Sequence, residues 1–127
     1  MDDRLRQLVR RRAKNRCEYC QMHQGQELLP FHIEHITPRK HGGKDVSNNL
    51  ALACHHCNLH KGTNLSALDP RNGKLTCLYH PRLDDWEDHF INRDGEIAGR
   101  TAVGRTTVSV LRMNDDGRLQ LRESAED

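Results

Sequence analysis

The sequence predicts a small α+β domain whose apolar core is too thin to hold it together unaided. Three observations carry this. The chain has 127 residues, of which 35% are hydrophobic and 30% charged, a lean composition for a domain of this length. Four of its five cysteines stand in two C-x2-C pairs, Cys17/Cys20 and Cys54/Cys57. Between and around those pairs, short strand-like stretches are followed or preceded by segments with helical periodicity.

Residues 3–14 place Leu5, Leu8, Val9 and Ala13 on one helical face, with Arg4, Arg6, Arg10, Arg11 and Lys14 mostly elsewhere. Asp2 and Asp3 suit the start of that helix, where the dipole favours acids. Cys17-Glu18-Tyr19-Cys20 is a tight knuckle, and residues 21–29 read as loop. Phe31 to Ile36 starts as a strand, with Phe31 and Ile33 on one side and His32 and Glu34 on the other. The alternation breaks at His35-Ile36, which predicts an irregular exit. Pro38, Gly42-Gly43 and Ser47-Asn48-Asn49 mark a long loop. Leu50 to Cys54 is a second short strand, and His55 to Lys61 a helix that Gly62 ends.

Beyond Gly62, residues 69–73 form a turn between two extended segments, with Leu75 to Tyr79 a strand. Asp84 to Phe90 is a short helix capped by Asp84 or Asp85, with Trp86 and Phe90 on one face. Asn92 to Gly95 is a turn. Residues 101–113 carry apolar groups at helical spacing, against the low helix propensity of Thr106-Thr107-Val108. A short helix through Leu119 and Leu121 is expected after Asp115, with the last residues disordered.

Two C-x2-C pairs give a tetrahedral zinc ion four thiolates and leave no open position, the mark of a structural site. Cys17, Cys20, Cys54 and Cys57 would clamp the segment between them and add folding free energy. Cys77 reads as a small core residue rather than a ligand. No apolar run reaches the ~20 residues of a membrane span, and the basic N-terminus lacks a signal peptide's apolar region. With the cysteine usage, this predicts a cytoplasmic location and no membrane partner.

Charge is uneven. Residues 1–16 carry seven basic and two acidic groups, residues 17–83 seven and five, and residues 84–127 six and eleven. A basic front half fits a polyanionic partner.

Between the cysteine pairs, Ile33-Glu34-His35-Ile36, Pro38, Gly42-Gly43, Asn49-Leu50, Cys54-x2-Cys57-Asn58 and Lys61-Gly62 resemble the HNH endonuclease motif. The resemblance covers about residues 17–62 and implies a ββα-metal finger (His-Me finger). With the helical periodicity before it, the chain divides into a basic N-terminal helix over 1–16, a zinc-stapled core over 17–65 and a supporting extension over 66–127. The resemblance also implies a nuclease in which His35 is the general base, a role suited to imidazole near neutral pH. Glu34 and Asn58 would hold a catalytic Mg²⁺ or Mn²⁺, because carboxylate and amide oxygens are hard ligands. Asn58 stands where many members have histidine, so this is an H-N-N variant. Asn49 would hold the loop and, through its carbonyl, orient His35. Arg39, Lys40, His41 and Lys61 would meet DNA phosphates. Tyr79-His80-Pro81-Arg82, Trp86 and His89-Phe90 also resemble a series that follows the motif in small bacterial members. Trp86 and Phe90 would pack on the finger, and His80 or Arg82 can be placed near the scissile phosphate.

The expected activity is hydrolysis of DNA phosphodiester bonds, on double-stranded in preference to single-stranded DNA. The alternative is a non-catalytic, zinc-binding nucleic-acid module. A further alternative is an interaction protein whose acidic C-terminal region binds a partner.

Overall fold

The two cysteine pairs meet in space, and the chain is laid out around them. The computed structural model describes residues 1–126. Helix α1 (Asp3–Arg12) starts where the Asp2 carboxylate accepts from Leu5 N at 2.9 Å. It ends where Lys14 and Asn15 take left-handed backbone angles. Val9 is its buried residue, whereas Leu8, expected on the apolar face, is exposed. Arg12 reaches across to the carbonyls of Ser47 at 2.7 Å and Leu50 at 2.6 Å, and Arg10 to Phe31 O at 3.2 Å. Part of the basic N-terminal charge therefore docks the helix on the domain.

The segment read as loop contains a 3-10 turn, Gln24–Gln26. Strands β1 (His32–His35) and β2 (Leu50–Ala53) pair antiparallel, His32 opposite Ala53 and His35 opposite Leu50. The pairing runs in register through His35, so the irregular exit begins at Ile36. Every residue of β2 is buried. Helix α2 (His55–Lys61) follows at once, with Cys54 Sγ accepting from Cys57 N and Gly62 closing the helix at φ 51°. The expected ββα order is present.

The Gly43 backbone lies so close to Thr37 that an added Cβ would stand 1.7 Å from the Thr37 carbonyl oxygen. That approach, together with a left-handed Gly42 at φ 93°, folds the β1–β2 loop back on itself.

The extension adds two hairpins and three helices. β3 (Ser66–Leu68) pairs with β4 (Leu75–Cys77) across the expected turn. Cys77 is exposed there, not a core residue. Helix α3 (Trp86–His89) leads into β5 (Phe90–Arg93), which pairs with β6 (Glu96–Gly99). The sequence marked the turn at Asp94-Gly95 but not these flanking strands. Helix α4 (Ala102–Val110) forms despite its β-branched run. Thr107 Oγ1 donates to Val103 O at 2.7 Å and accepts from Tyr79 N at 2.9 Å, so tertiary bonding overrides propensity. Helix α5 (Asp116–Glu126) extends the expected tail helix. The segment expected to be disordered is helical to Glu126, and Asp127 lies outside the described residues. No helix is long and apolar enough to cross a membrane among the described residues.

Candidate active site and metal centre

Cys17, Cys20, Cys54 and Cys57 are fully buried, and their sulfurs all lie within 4.8 Å of one another. Main-chain N–H groups point at two of them: Cys20 N to Cys17 Sγ at 3.5 Å and Cys57 N to Cys54 Sγ at 3.4 Å. The Arg118 guanidinium donates to Cys54 Sγ at 3.3 Å. Four thiolates around a divalent ion carry a net charge of about −2, and amide and guanidinium donors offset it. The donor set fits structural zinc.

The second constellation sits between β1, the β1–β2 loop and α2. A cleft of about 460 Å³ is lined by Glu34, His35, Arg39, Lys40 and Asn58, with Pro38 and Gly62 among its walls. The structure thus brings the expected base and both expected metal ligands to one cavity.

His35 is held by a residue the sequence did not single out. Its Nε2 lies 2.6 Å from Asp45 Oδ1, and Arg39 donates to both Asp45 oxygens, at 2.9 Å and 2.8 Å. The hydrogen bonds from His35 and then Arg39 hold the Asp45 carboxyl below the ordinary carboxylate range. An ionised carboxylate only accepts. The neutral imidazole therefore carries its proton on Nε2 and keeps the Nδ1 lone pair free.

Asn49 holds the loop as expected. Its Oδ1 accepts from Thr37 N at 2.9 Å, and its Nδ2 donates to Thr37 O and Lys44 O, each at 3.0 Å. Its main-chain carbonyl accepts from Ile36 N at 2.8 Å. Both Asn49 carbonyls are thus engaged with backbone, and it is Asp45 that holds His35. No motif spacing marks Asp45; it is a lone acid in a loop otherwise rich in basic residues.

Glu34 is buried. Tyr19 OH donates to its Oε1, and Lys61 Nζ lies 3.3 Å from its Oε2. Burial raises its carboxyl above the ordinary range, against the opposing pull of Lys61 and Tyr19. Lys61 is itself 2% exposed and donates to Ile36 O at 2.9 Å. Its expected place on DNA phosphate is therefore corrected: an ammonium shielded from solvent and paired inside the domain does not reach a phosphate. The Asn58 side-chain amide, by contrast, has no hydrogen-bond partner among the described residues.

Arg39, Lys40 and His41 form an exposed 3-10 turn at the cleft's edge. His80 and Arg82 do not line the cleft. His80 Nδ1 accepts from Arg82 N at 3.1 Å and Leu83 N at 3.3 Å, while the Arg82 side chain pairs with Glu18 and reaches Leu50 O. Placement of either at the scissile phosphate is therefore corrected. Trp86 and Phe90 stack at 5.1 Å, and Trp86 Nε1 donates to Tyr19 O at 2.7 Å, which fastens the extension to the first knuckle as expected.

An antiparallel hairpin, a following helix, a four-cysteine centre beneath them and a Glu-His-Asn cleft define a zinc-stapled ββα-metal finger. Residues 17–64 match the family model described as HNH endonuclease, and the chain carries a domain of that family. It is also 30% identical over 109 residues to the Septu protein PtuB of Bacillus thuringiensis. That match covers 84% of this chain, which spans 40% of the relative's length. No solved structure matches the chain.

Proposed function

We propose that the chain is a metal-dependent endonuclease that hydrolyses DNA phosphodiester bonds, acting on double-stranded DNA in the cytoplasm. The observation that carries this is the convergence of Glu34, His35 and Asn58 on one cleft edged by Arg39 and Lys40. Glu34 and Asn58 would hold a divalent cation. Each carboxylate oxygen has a second lone pair beyond its Tyr19 or Lys61 bond, and the Asn58 amide is free to turn its oxygen inward. One carboxylate and one amide suit Mg²⁺ or Mn²⁺, which complete their shells with water and substrate phosphate. The ion would supply Lewis-acid stabilisation of charge at the phosphate and the leaving oxygen.

The remaining chemistry belongs to side chains. His35 Nδ1 takes the proton from the attacking water. Asp45 holds the ring by Nε2 and stabilises the imidazolium that forms, as a carboxylate behind a catalytic histidine does. Arg39 fixes Asp45, and Lys40 and His41 meet the phosphate backbone. Asn49 acts one step removed, by holding the loop that carries Asp45.

A second reading, a non-catalytic zinc-binding nucleic-acid module, is favoured by one observation: both Glu34 oxygens already have partners inside the protein. The two readings separate on supercoiled plasmid with Mg²⁺ or Mn²⁺. The nuclease nicks or cuts it, His35→Ala abolishes cleavage, and Asp45→Asn lowers the rate by at least tenfold while DNA binding persists. DNA binding without cleavage in either metal would establish the module instead.

A further inference from the structure

We propose that His56, His60 and Asp115 form a second zinc site, distinct from the four-cysteine centre and from the Glu34/Asn58 cleft. One potential ligand atom from each lies within 4.8 Å of the others, and all three residues are half-buried. His56 and His60 are at i and i+4 on α2, so they share a face. Their rings are 4.4 Å apart between centroids. Each stands two positions from Asn58, a rotation of about 200° around a helix, which turns the pair away from the cleft. Asp115 comes from the turn between α4 and α5.

The surroundings prepare these groups for a metal. His56 Nε2 lies 2.7 Å from the Arg112 carbonyl oxygen. A carbonyl only accepts, so the proton is on Nε2 and the Nδ1 lone pair is available. A histidine ligand whose other nitrogen donates to a carbonyl is the usual supporting arrangement at a metal site. The Arg112 guanidinium Nε forms an ion pair with Asp115 Oδ2 at 3.0 Å, which draws the carboxylate to this side and leaves its other oxygen for a metal. One residue thus orients two of the three ligands, and it does so from a left-handed backbone at φ 50°. His60 has no hydrogen-bonding partner of its own among the described residues.

Two imidazole nitrogens and one carboxylate are the donor set of a zinc site with an open fourth position. Imidazole selects zinc over the hard cations suited to Glu34 and Asn58. A bound ion would join the nuclease helix to the C-terminal extension, and its fourth position would be left to water or a small anionic ligand.

The test is zinc content per chain after equilibrium dialysis of the full-length protein against zinc ion alone. Replacement by Co²⁺ reports the cysteine centre separately, through its thiolate charge-transfer band. The wild type is expected to hold two zinc ions, and His60→Ala and Asp115→Asn one each, with that band unchanged. A Glu34→Gln/Asn58→Ala variant is expected to keep two. One ion in the wild type would overturn the proposal. So would two ions in Asp115→Asn, or loss of the second ion only in the Glu34/Asn58 variant. Asp115→Asn alters one surface carboxylate, so it decides the matter even if His60→Ala misfolds.

Discussion

Replacing Lys61 with methionine removes a buried ammonium and leaves the volume nearly filled. In the wild type that group lies 3.3 Å from Glu34 and 2.9 Å from the Ile36 carbonyl, with side-chain exposures of 2% for Lys61 and 5% for Glu34. Without it, Glu34 keeps only the Tyr19 hydroxyl as partner, and the Ile36 carbonyl loses its donor. Breaking a buried ion pair from one side costs about 3–5 kcal/mol, because the remaining charge is left uncompensated. Against a total of about 5–15 kcal/mol for a small domain, that is a large fraction.

Urea unfolding of zinc-loaded protein measures the loss as a shift in midpoint at constant slope. Two companion results follow. Adding Glu34→Gln to Lys61→Met should recover part of the loss, since the orphaned charge is gone. The cost of Lys61→Met should also shrink as pH falls, because a protonated Glu34 needs no cation. A cost within about 1 kcal/mol, with weaker DNA binding and a shallower salt dependence, would refute the reasoning and return Lys61 to the phosphate backbone.

Three further perturbations have defined outcomes. Chelation of zinc, or Cys57→Ala, should abolish the cooperative unfolding transition, because structural zinc contributes roughly 10–16 kcal/mol, as much as the whole domain's stability; near-ultraviolet circular dichroism reads this. Gly43→Ala forces the β1–β2 loop open, because its Cβ would fall 1.7 Å from Thr37 O; thermal denaturation should show a loss of roughly 1–3 kcal/mol or more, and any cleavage activity should fall with it. His80 is held below its ordinary pKa by burial, and its Nδ1 caps two main-chain N–H groups. The folded state therefore prefers the neutral ring: its stabilisation is complete above the unfolded value of about 6.5 and is lost as pH falls through the lower folded value. Melting temperature across about pH 8 to 5 should slope downward in the wild type and less so in His80→Ala.

The finger was legible in the sequence because its parts are local or spaced by chemistry. Cysteine pairs, a Gly-Gly turn and an alternating run announce themselves, and the pairing of β1 with β2 follows from the loop between them. The hairpin of β5 and β6 was not legible. Ile91 and Ile97 are separated by polar residues, and the strands are only four residues each. Helix α4 defeated propensity because Thr107 accepts from Tyr79 N, a contact 28 positions away that no local pattern encodes. At the candidate site, the motif residues Glu34, His35 and Asn58 line one cavity, but their partners did not follow from spacing. Asp45 behind His35, and Lys61 behind Glu34, depend on how a loop and a helix fold back. The same holds for His56 and His60, which look like surface histidines until Asp115 arrives from 55 positions later.

Segment charge misleads for a related reason. Residues 84–127 carry a net acidic charge, which suggested a partner surface, yet three of their arginines point inward. Arg105 pairs with Asp69 at 2.7 Å, Arg118 meets Glu27 and Cys54, and Arg122 donates to Gly95 O at 2.7 Å and to Met113 O. Asp85, Glu87, Asp88, Asp94, Glu96 and Asp116 stay exposed. Arg93, Arg100 and Arg112 are exposed beside them, so the outward face of the extension keeps a net acidic charge among the described residues. At the other end, exposed Arg4, Arg11, Lys14, Lys40 and Lys44 remain on the finger and its leading helix. On the proposed function, this separation repels DNA from one side and admits it from the other. Orientation would then be set over roughly a Debye length, before any contact forms at His35.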